Sequence, residues 1–329
     1  MKNIMNATTI KIGAAIISLY AINSLYKSYK VNEDNTEINK NNVLINDYLL
    51  SEITQQKIKK PILWIHIPYK INSRNWESFY SRSNENINQP YIYICIKSII
   101  DLCGDSFHVC IIDDYSFEKL IPNWKIDMSK ISEPIINNIR KLAHMKLLYN
   151  YGGMFVPYSF VCYRDLINLY NENLNKCFVG EFKTESVIFN KTQMYPNYEF
   201  IGSNKNNKEI FDIIKLIEIH IHNNSCDNLE FEGTLEGILY EKTEKNKINM
   251  INGKLLGTKK EDNTLLTIEN LFSEENIQLN KHLYGIYLPS KTILNSKNYN
   301  WFSVLDIDNA IVGDLNIFYI LKKAINHYL

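Results

Sequence analysis

"KLAHMKLLYNYGGMFVPYSF", Lys141 to Phe160, is the stretch on which the fold of this 329-residue chain turns. It reads as an amphipathic helix, a Gly-Gly break and the start of a buried strand. Just upstream, "SEPIINNIR" offers Ser132 as an N-cap and Pro134 in the first turn, where a missing N–H is tolerated. Ile135, Ile139, Leu142 and the Lys146/Leu147 boundary recur at helical spacing. Gly152 or Gly153 then supplies a left-handed stop, a conformation that a Cβ disfavours. "MFVPYSFVCYRDL" continues as a strand. Pro157 within it cannot donate a ladder hydrogen bond and belongs at an edge, a bulge or a strand end, where it would aim its neighbours into a cleft.

On the amino-terminal side, "KPILWIHIPY" (Lys60 to Tyr69) is a short apolar run bounded by prolines, suited to a buried parallel strand. "QPYIYICIKSIIDLCG" reads as a helix closed by Gly104, and "SFHVCIIDD" as a second buried strand ending in Asp113 and Asp114. Strand, helix, strand is a right-handed βαβ unit, and open α/β sheets gather ligands beyond the carboxyl ends of such strands. His66, Tyr69, Asp113 and Asp114 all fall at those ends. On the carboxyl side, "KCFVGEF" reads as a strand and "NYEFIGSNKNNKEIFDIIKLIEIHI" as strand, turn and helix. "NKINMINGKLLGT" reads as strand, turn and strand, and the last thirty or so residues as one or two closing helices. No internal repeat is present.

The totals narrow the function classes. Lys+Arg and Asp+Glu are both 36, a net charge of zero. No broad positive field is available for non-specific nucleic-acid binding, and no nucleic-acid-binding motif occurs. A hydrophobic fraction of 45% is ample for a large core. The six cysteines form no C-x-x-C pair and sit mostly in apolar runs, where a thiol acts as a small buried hydrophobe in a reducing compartment. Heavy use of Asn, Ile, Lys and Tyr points to an AT-rich coding sequence.

The amino-terminal residues 1–30 contain an apolar stretch from Ile12 to Tyr26, short for a bilayer span unless Lys11 and Lys27 snorkel. It is read as a single-pass membrane anchor, against the alternative of a helix packed on the domain. Lysines flank both ends, so the side of the membrane is undetermined. Residues 31–60, polar and Asn-rich at first, are read as a tether, and 61–329 as the globular domain.

With these elements in place, the chain resembles glycosyltransferases of the DXD sugar-binding and capsular polysaccharide synthesis type. The residues that carry the likeness are the helix, "LLYNYGG" and apolar strand, with "ILWIHIP", "FHVCIIDDYSFEKLIP" and "EFIGSNKNNKEIFDIIKLIE". "WIHIPY", "SRNW" and "PYSFVCYRDL" also resemble proteins of large DNA viruses. The resemblance implies an α/β domain of the GT-A-like nucleotide-diphospho-sugar transferase fold, a Rossmann-like mixed sheet with flanking helices, to which the apolar run adds the N-terminal hydrophobic helix. It implies a nucleotide-sugar donor and a glycan or protein acceptor. The candidate substrate-binding set is His66, Tyr69, Asp113, Asp114, Lys141, His144, Gly152, Gly153 and Ser159.

The departures from the family are chemically pointed. Lys141 and His144 stand where the family's helix carries the Asp and Arg that contact the donor, and Pro157 and Ser159 stand where its two metal-binding aspartates fall. Proline has no ligand atom and a serine hydroxyl is a poor substitute for a carboxylate, so no divalent metal is expected there and no cofactor is assigned. A second "DID" at Asp306 to Asp308 reads as a helix-start cap.

Two functions follow. In one, sugar transfer proceeds without a DXD-bound metal, and Lys141 and His144, three apart on one helical face near Arg140, offset the diphosphate charge. In the other, a membrane-tethered binding or scaffold protein keeps the fold without turnover. Glu181, Glu230 and Glu232 are available as acceptor bases, with nothing to select among them. The alternative for the Lys141/His144 face is a solvated basic stripe, and for the aspartate pair a solvated strand-end turn.

Overall fold

A computed structural model of the chain describes residues 60–68, 89–131, 135–183, 194–222 and 228–325, with the side chains of 228–234 excepted. The expected membrane anchor, Tyr69, Ser132 and Pro134 lie outside the described residues. None of the described helices is long and apolar enough to cross a membrane.

The first half follows the predicted βαβ order. Strand β1 (Ile62–His66) is buried along its whole length, and α1 (Tyr91–Cys103) leads to β2 (His108–Ile112). The two strands pair in parallel, Ile62 opposite His108 and His66 opposite Ile112. Gly104 closes α1 with φ −62°, so it ends the helix without a left-handed turn. A short helix α2 (Ser116–Leu120) follows, and then α3 (Ile135–Tyr151).

Helix α3 stops at the Gly pair for a steric reason. Gly152 has φ +73° and Gly153 φ +94°, and a Cβ on Gly153 would stand 2.1 Å from the Ile62 carbonyl oxygen. The missing side chain lets β3 (Gly153–Phe155) lie against β1, in parallel, with Leu63 opposite Met154. Trp64 secures the corner by donating its indole N–H to the Gly152 carbonyl at 3.0 Å.

The expected continuous strand after the glycines breaks at Pro157. Val156 makes the last bond to β1, from its N–H to the Trp64 carbonyl, and the chain turns before resuming as β4 (Phe160–Cys162). Strand β4 pairs antiparallel with β8 (Gly285–Tyr287) in a separate two-stranded sheet. Pro157 thus marks the point where the chain leaves one sheet for another.

Between these lie α4 (Ile167–Asn173), β5 (Cys177–Lys183), β6 (Met194–Ser203), α5 (Lys208–His222), α6 (Asn228–Glu244), β7 (Ile248–Ile251) and α7 (Ile268–Leu271). After β8 come α8 (Ser290–Asn295) and α9 (Asn316–Ile325). The main sheet runs β2-β1-β3-β6-β5-β7, with β6 antiparallel to both neighbours and the other pairs parallel. It is a mixed α/β architecture with helices flanking a six-stranded, mostly parallel sheet. The strand expected after β7 does not form. Gly253 instead donates its N–H to the Glu181 carboxylate at 2.9 Å, and Thr258 donates its hydroxyl to the Glu181 carbonyl, which pins a tight turn.

The core packs α3 and α5 onto the sheet through Leu142, Leu148, Phe155, Ile201 and Ile213. On α3 the buried first-turn isoleucine is Ile136, while Ile135 is 39% exposed. Cys95, Cys103, Cys110, Cys162 and Cys177 are buried free thiols, in line with their apolar sequence settings.

Candidate functional site

A cleft of about 380 Å³ opens beyond the carboxyl ends of β1 and β3. His66 and Pro68 come from the end of β1, Phe155 to Ser159 from the β3 exit, and Arg140, Lys141 and His144 from α3. Ser290 and Lys291 from α8 form part of the wall. The size suits a small ligand, and the position is the one that open α/β sheets use for binding.

Its floor is a buried ionic network. Asp114 accepts two hydrogen bonds from Arg140, Nε to Oδ1 at 2.8 Å and Nη2 to Oδ2 at 2.6 Å. The same Oδ1 lies 3.2 Å from His66 Nε2. His66, Asp114 and Arg140 are each below a tenth exposed. Burial pushes the Asp114 carboxyl up, but the bonds from Arg140 and His66 outweigh it and hold the group well below the usual carboxylate range. Burial lowers His66, with Asp114 opposing, so the imidazole is neutral near pH 7.

His144 stacks on Phe155 at 4.4 Å between ring centroids and meets His66 edge to face at 4.7 Å. Burial drives its pKa well below the ordinary histidine value, and its buried Nε2 has no hydrogen-bond partner among the described residues. Lys141 is 2% exposed, with its ammonium 4.7 Å from the centre of the Tyr198 ring, a cation–π contact. The basic face of α3 is therefore part of the cleft floor. A solvated stripe would need Arg140 and Lys141 in water, and both are buried.

The two aspartates at the end of β2 do different work. Asp113 accepts from the N–H and hydroxyl of Ser116, at 2.8 and 2.7 Å, and so fixes the turn into α2. Only Asp114 joins the network. Gly152 and Gly153 shape the β3 entrance through backbone geometry.

Ser159 is buried, and its hydroxyl donates to the Leu288 carbonyl at 2.7 Å. With Pro157 offering no ligand atom, the residues at this position do not fit a divalent cation. Among the described residues, no group of three or more His, Cys, Asp or Glu side chains is arranged to hold a metal. Asp306 and Asp308 are exposed ahead of a short 3₁₀ turn, Asn309–Ile311.

Of the expected acceptor bases, Glu181 is committed to Lys259 and the Gly253 N–H, away from the cleft lining. The side chains of Glu230 and Glu232 lie outside the described residues. The carboxylate that does line the cleft is Glu199, which the sequence reading did not single out; nor did it single out Tyr158, Tyr198 and Lys291. Tyr198 and Glu199 both reach the cleft because β6 bulges. Val179 pairs with Ile201, but the next residue, Gly180, pairs with Asn197, so the strand register skips 198–200. Asn197, two residues ahead of Glu199, accepts the Glu199 N–H on Oδ1 at 2.7 Å. An Asn at that offset was the available signal for such a turn.

No family model and no curated protein sequence matches the chain. Among solved structures, it is similar to the galactosyltransferase LgtC in complex with donor and acceptor sugar analogues. The TM-score is 0.31 and the identity 10%, over 59% of this chain and 74% of that one. A likeness of that extent leaves the fold to rest on the sheet order and register described above.

Proposed function

We propose that the chain is a GT-A-like glycosyltransferase-type domain whose cleft takes a nucleotide-sugar, with the diphosphate charge offset by side-chain cations instead of a metal at Pro157 and Ser159. The observation that carries this reading is the cleft at the carboxyl ends of β1 and β3, floored by Arg140 and Lys141. Departure of a nucleoside diphosphate builds negative charge on the phosphates, and prearranged positive groups in a partly desolvated site are worth most against it. Lys141 lines this cleft with its ammonium beside the Tyr198 ring, and Arg140 is locked in a bidentate pair with Asp114. The acceptor in this reading is a glycan or a protein.

A second reading is a binding protein without turnover. It is favoured by the bidentate lock of Arg140 onto Asp114 and by Ser159, whose hydroxyl is spent on Leu288. Both readings predict ligand binding, and only the first predicts transfer.

A thermal-shift series on the full chain with a panel of nucleotide-sugars tests the shared claim. A ligand at a hundred times its dissociation constant stabilises the folded state by about 2.7 kcal/mol. Lys141→Met keeps the volume, removes the charge and should abolish most of that shift. No shift with any donor, with or without manganese, would rule out both readings. Binding without hydrolysis or transfer would select the second.

A further inference from the structure

The bulge on β6 does more than interrupt a ladder. Because β6 runs antiparallel to β3 with Ile201 opposite Phe155, residues 197–200 project past the carboxyl end of β3, into the region of the cleft. In a regular strand, Tyr198 and Glu199 would point to opposite faces. With the register skipping 198–200 and the turn braced by Asn197, both line the cleft while Phe200 is buried. Bulges re-aim side chains next to sites in this way.

What the bulge presents is a carboxylate in loose company. Among the described residues that line the cleft, Glu199 is the one acid. It is held by two long contacts, 3.4 Å from Lys291 Nζ to Oε1 and 3.5 Å from the Tyr287 hydroxyl to Oε2. Lys291 is raised above its ordinary value chiefly by the charge of Glu199. Both carboxylate oxygens therefore keep capacity to accept shorter bonds. Nearby, Tyr158 accepts from the Ser290 hydroxyl at 3.1 Å. Tyr158, Tyr198 and Tyr287 line the same cleft, and aromatic side chains beside an anionic acceptor and hydroxyl groups fit a ring that has apolar C–H faces and equatorial hydroxyls.

We propose that the Glu199 end of the cleft is a sugar-ring site, in which Glu199 accepts hydrogen bonds from adjacent ring hydroxyls and the Asn197 bulge positions it. The inference deepens the nucleotide-sugar reading of the same cleft and rests on it for the identity of the opposite end. The ring could belong to the acceptor or to the donor's own sugar, and the chemistry at Glu199 is shared.

The test titrates the full chain with methyl glycosides of glucose, galactose, mannose and N-acetylglucosamine, and separately with a nucleoside diphosphate and its nucleotide-sugar. At least one glycoside should bind, and Glu199→Gln should weaken it about tenfold, the loss expected when an acceptor forfeits its charge. Hydrogen exchange on the unsubstituted chain gives a reading that does not depend on the variant folding: the glycoside should slow exchange in the peptide covering 197–200. Mutual exclusion of glycoside and nucleotide-sugar identifies the donor's ring, and simultaneous binding identifies an acceptor. Absence of binding by every glycoside, an effect of Glu199→Gln below twofold, or no protection at 197–200 overturns the proposal. A nucleoside diphosphate that fails to bind counts against the donor reading alone, since the glycoside titration does not use it.

Discussion

Asp114 and Gly153 show how single residues set the site. Asp114→Asn would leave the buried Arg140 guanidinium without its counter-charge, and breaking a buried pair from one side costs about 3–5 kcal/mol. Chemical denaturation should show that loss, and the double variant Asp114→Leu with Arg140→Met should recover much of it. Equal loss in single and double variants would mean that the network contributes packing more than charge. Gly153→Ala meets the Ile62 carbonyl and a φ that L-residues rarely adopt, and should destabilise by about 3 kcal/mol in the same assay. The glycine was legible because a helix followed by Gly-Gly and an apolar run has one economical geometry. The Asp114–Arg140 pair was not: its members lie 26 residues apart, and burial of a charge is decided by tertiary packing.

At the scale of elements, α3 departs from a simple amphipathic helix. It is buried nearly all round: Leu142 and Leu148 pack into the core, while Arg140, Lys141 and His144 line the cleft, near His66 from β1 and Asp114 just after β2. A pH dependence follows. His66 and His144 are both held neutral by burial, so below about pH 6.5 the unfolded chain takes up protons that the folded chain refuses. Stability must then fall as pH falls, by up to about 1.4 kcal/mol per pH unit for each such histidine. Asp114 adds to the loss only below about pH 4, the ordinary carboxylate value, because its folded pKa is depressed. Melting midpoints at pH 7.5 and 5.5 check this, and His144→Phe should flatten the slope between them. A slope unchanged by that variant would assign the acid sensitivity elsewhere. Strand and helix order was readable from periodicity and punctuation. Pro157 announced an interruption, but its exit into a second sheet and the bulge at 197–200 were not readable, because both depend on which strands lie alongside.

At the scale of the whole molecule, the sheet order brings the ends of β1 and β3 and the bulge of β6 to one edge, where the cleft forms. The site is thus assembled from segments more than two hundred residues apart. His66 was singled out at a strand end, and Lys141 and His144 at the places where the resembled family's helix carries its donor contacts, whereas Glu199 and Lys291 emerge only from topology. In the function proposed above, this edge binds a nucleoside diphosphate through protein cations. Its most direct measurement is a calorimetric titration of the full chain with a nucleoside diphosphate, once in chelator and once in manganese, repeated with Lys141→Met. Affinity should be the same in both buffers and at least tenfold weaker for the variant; binding that appears only with manganese, and is indifferent to Lys141, would overturn the metal-independent reading.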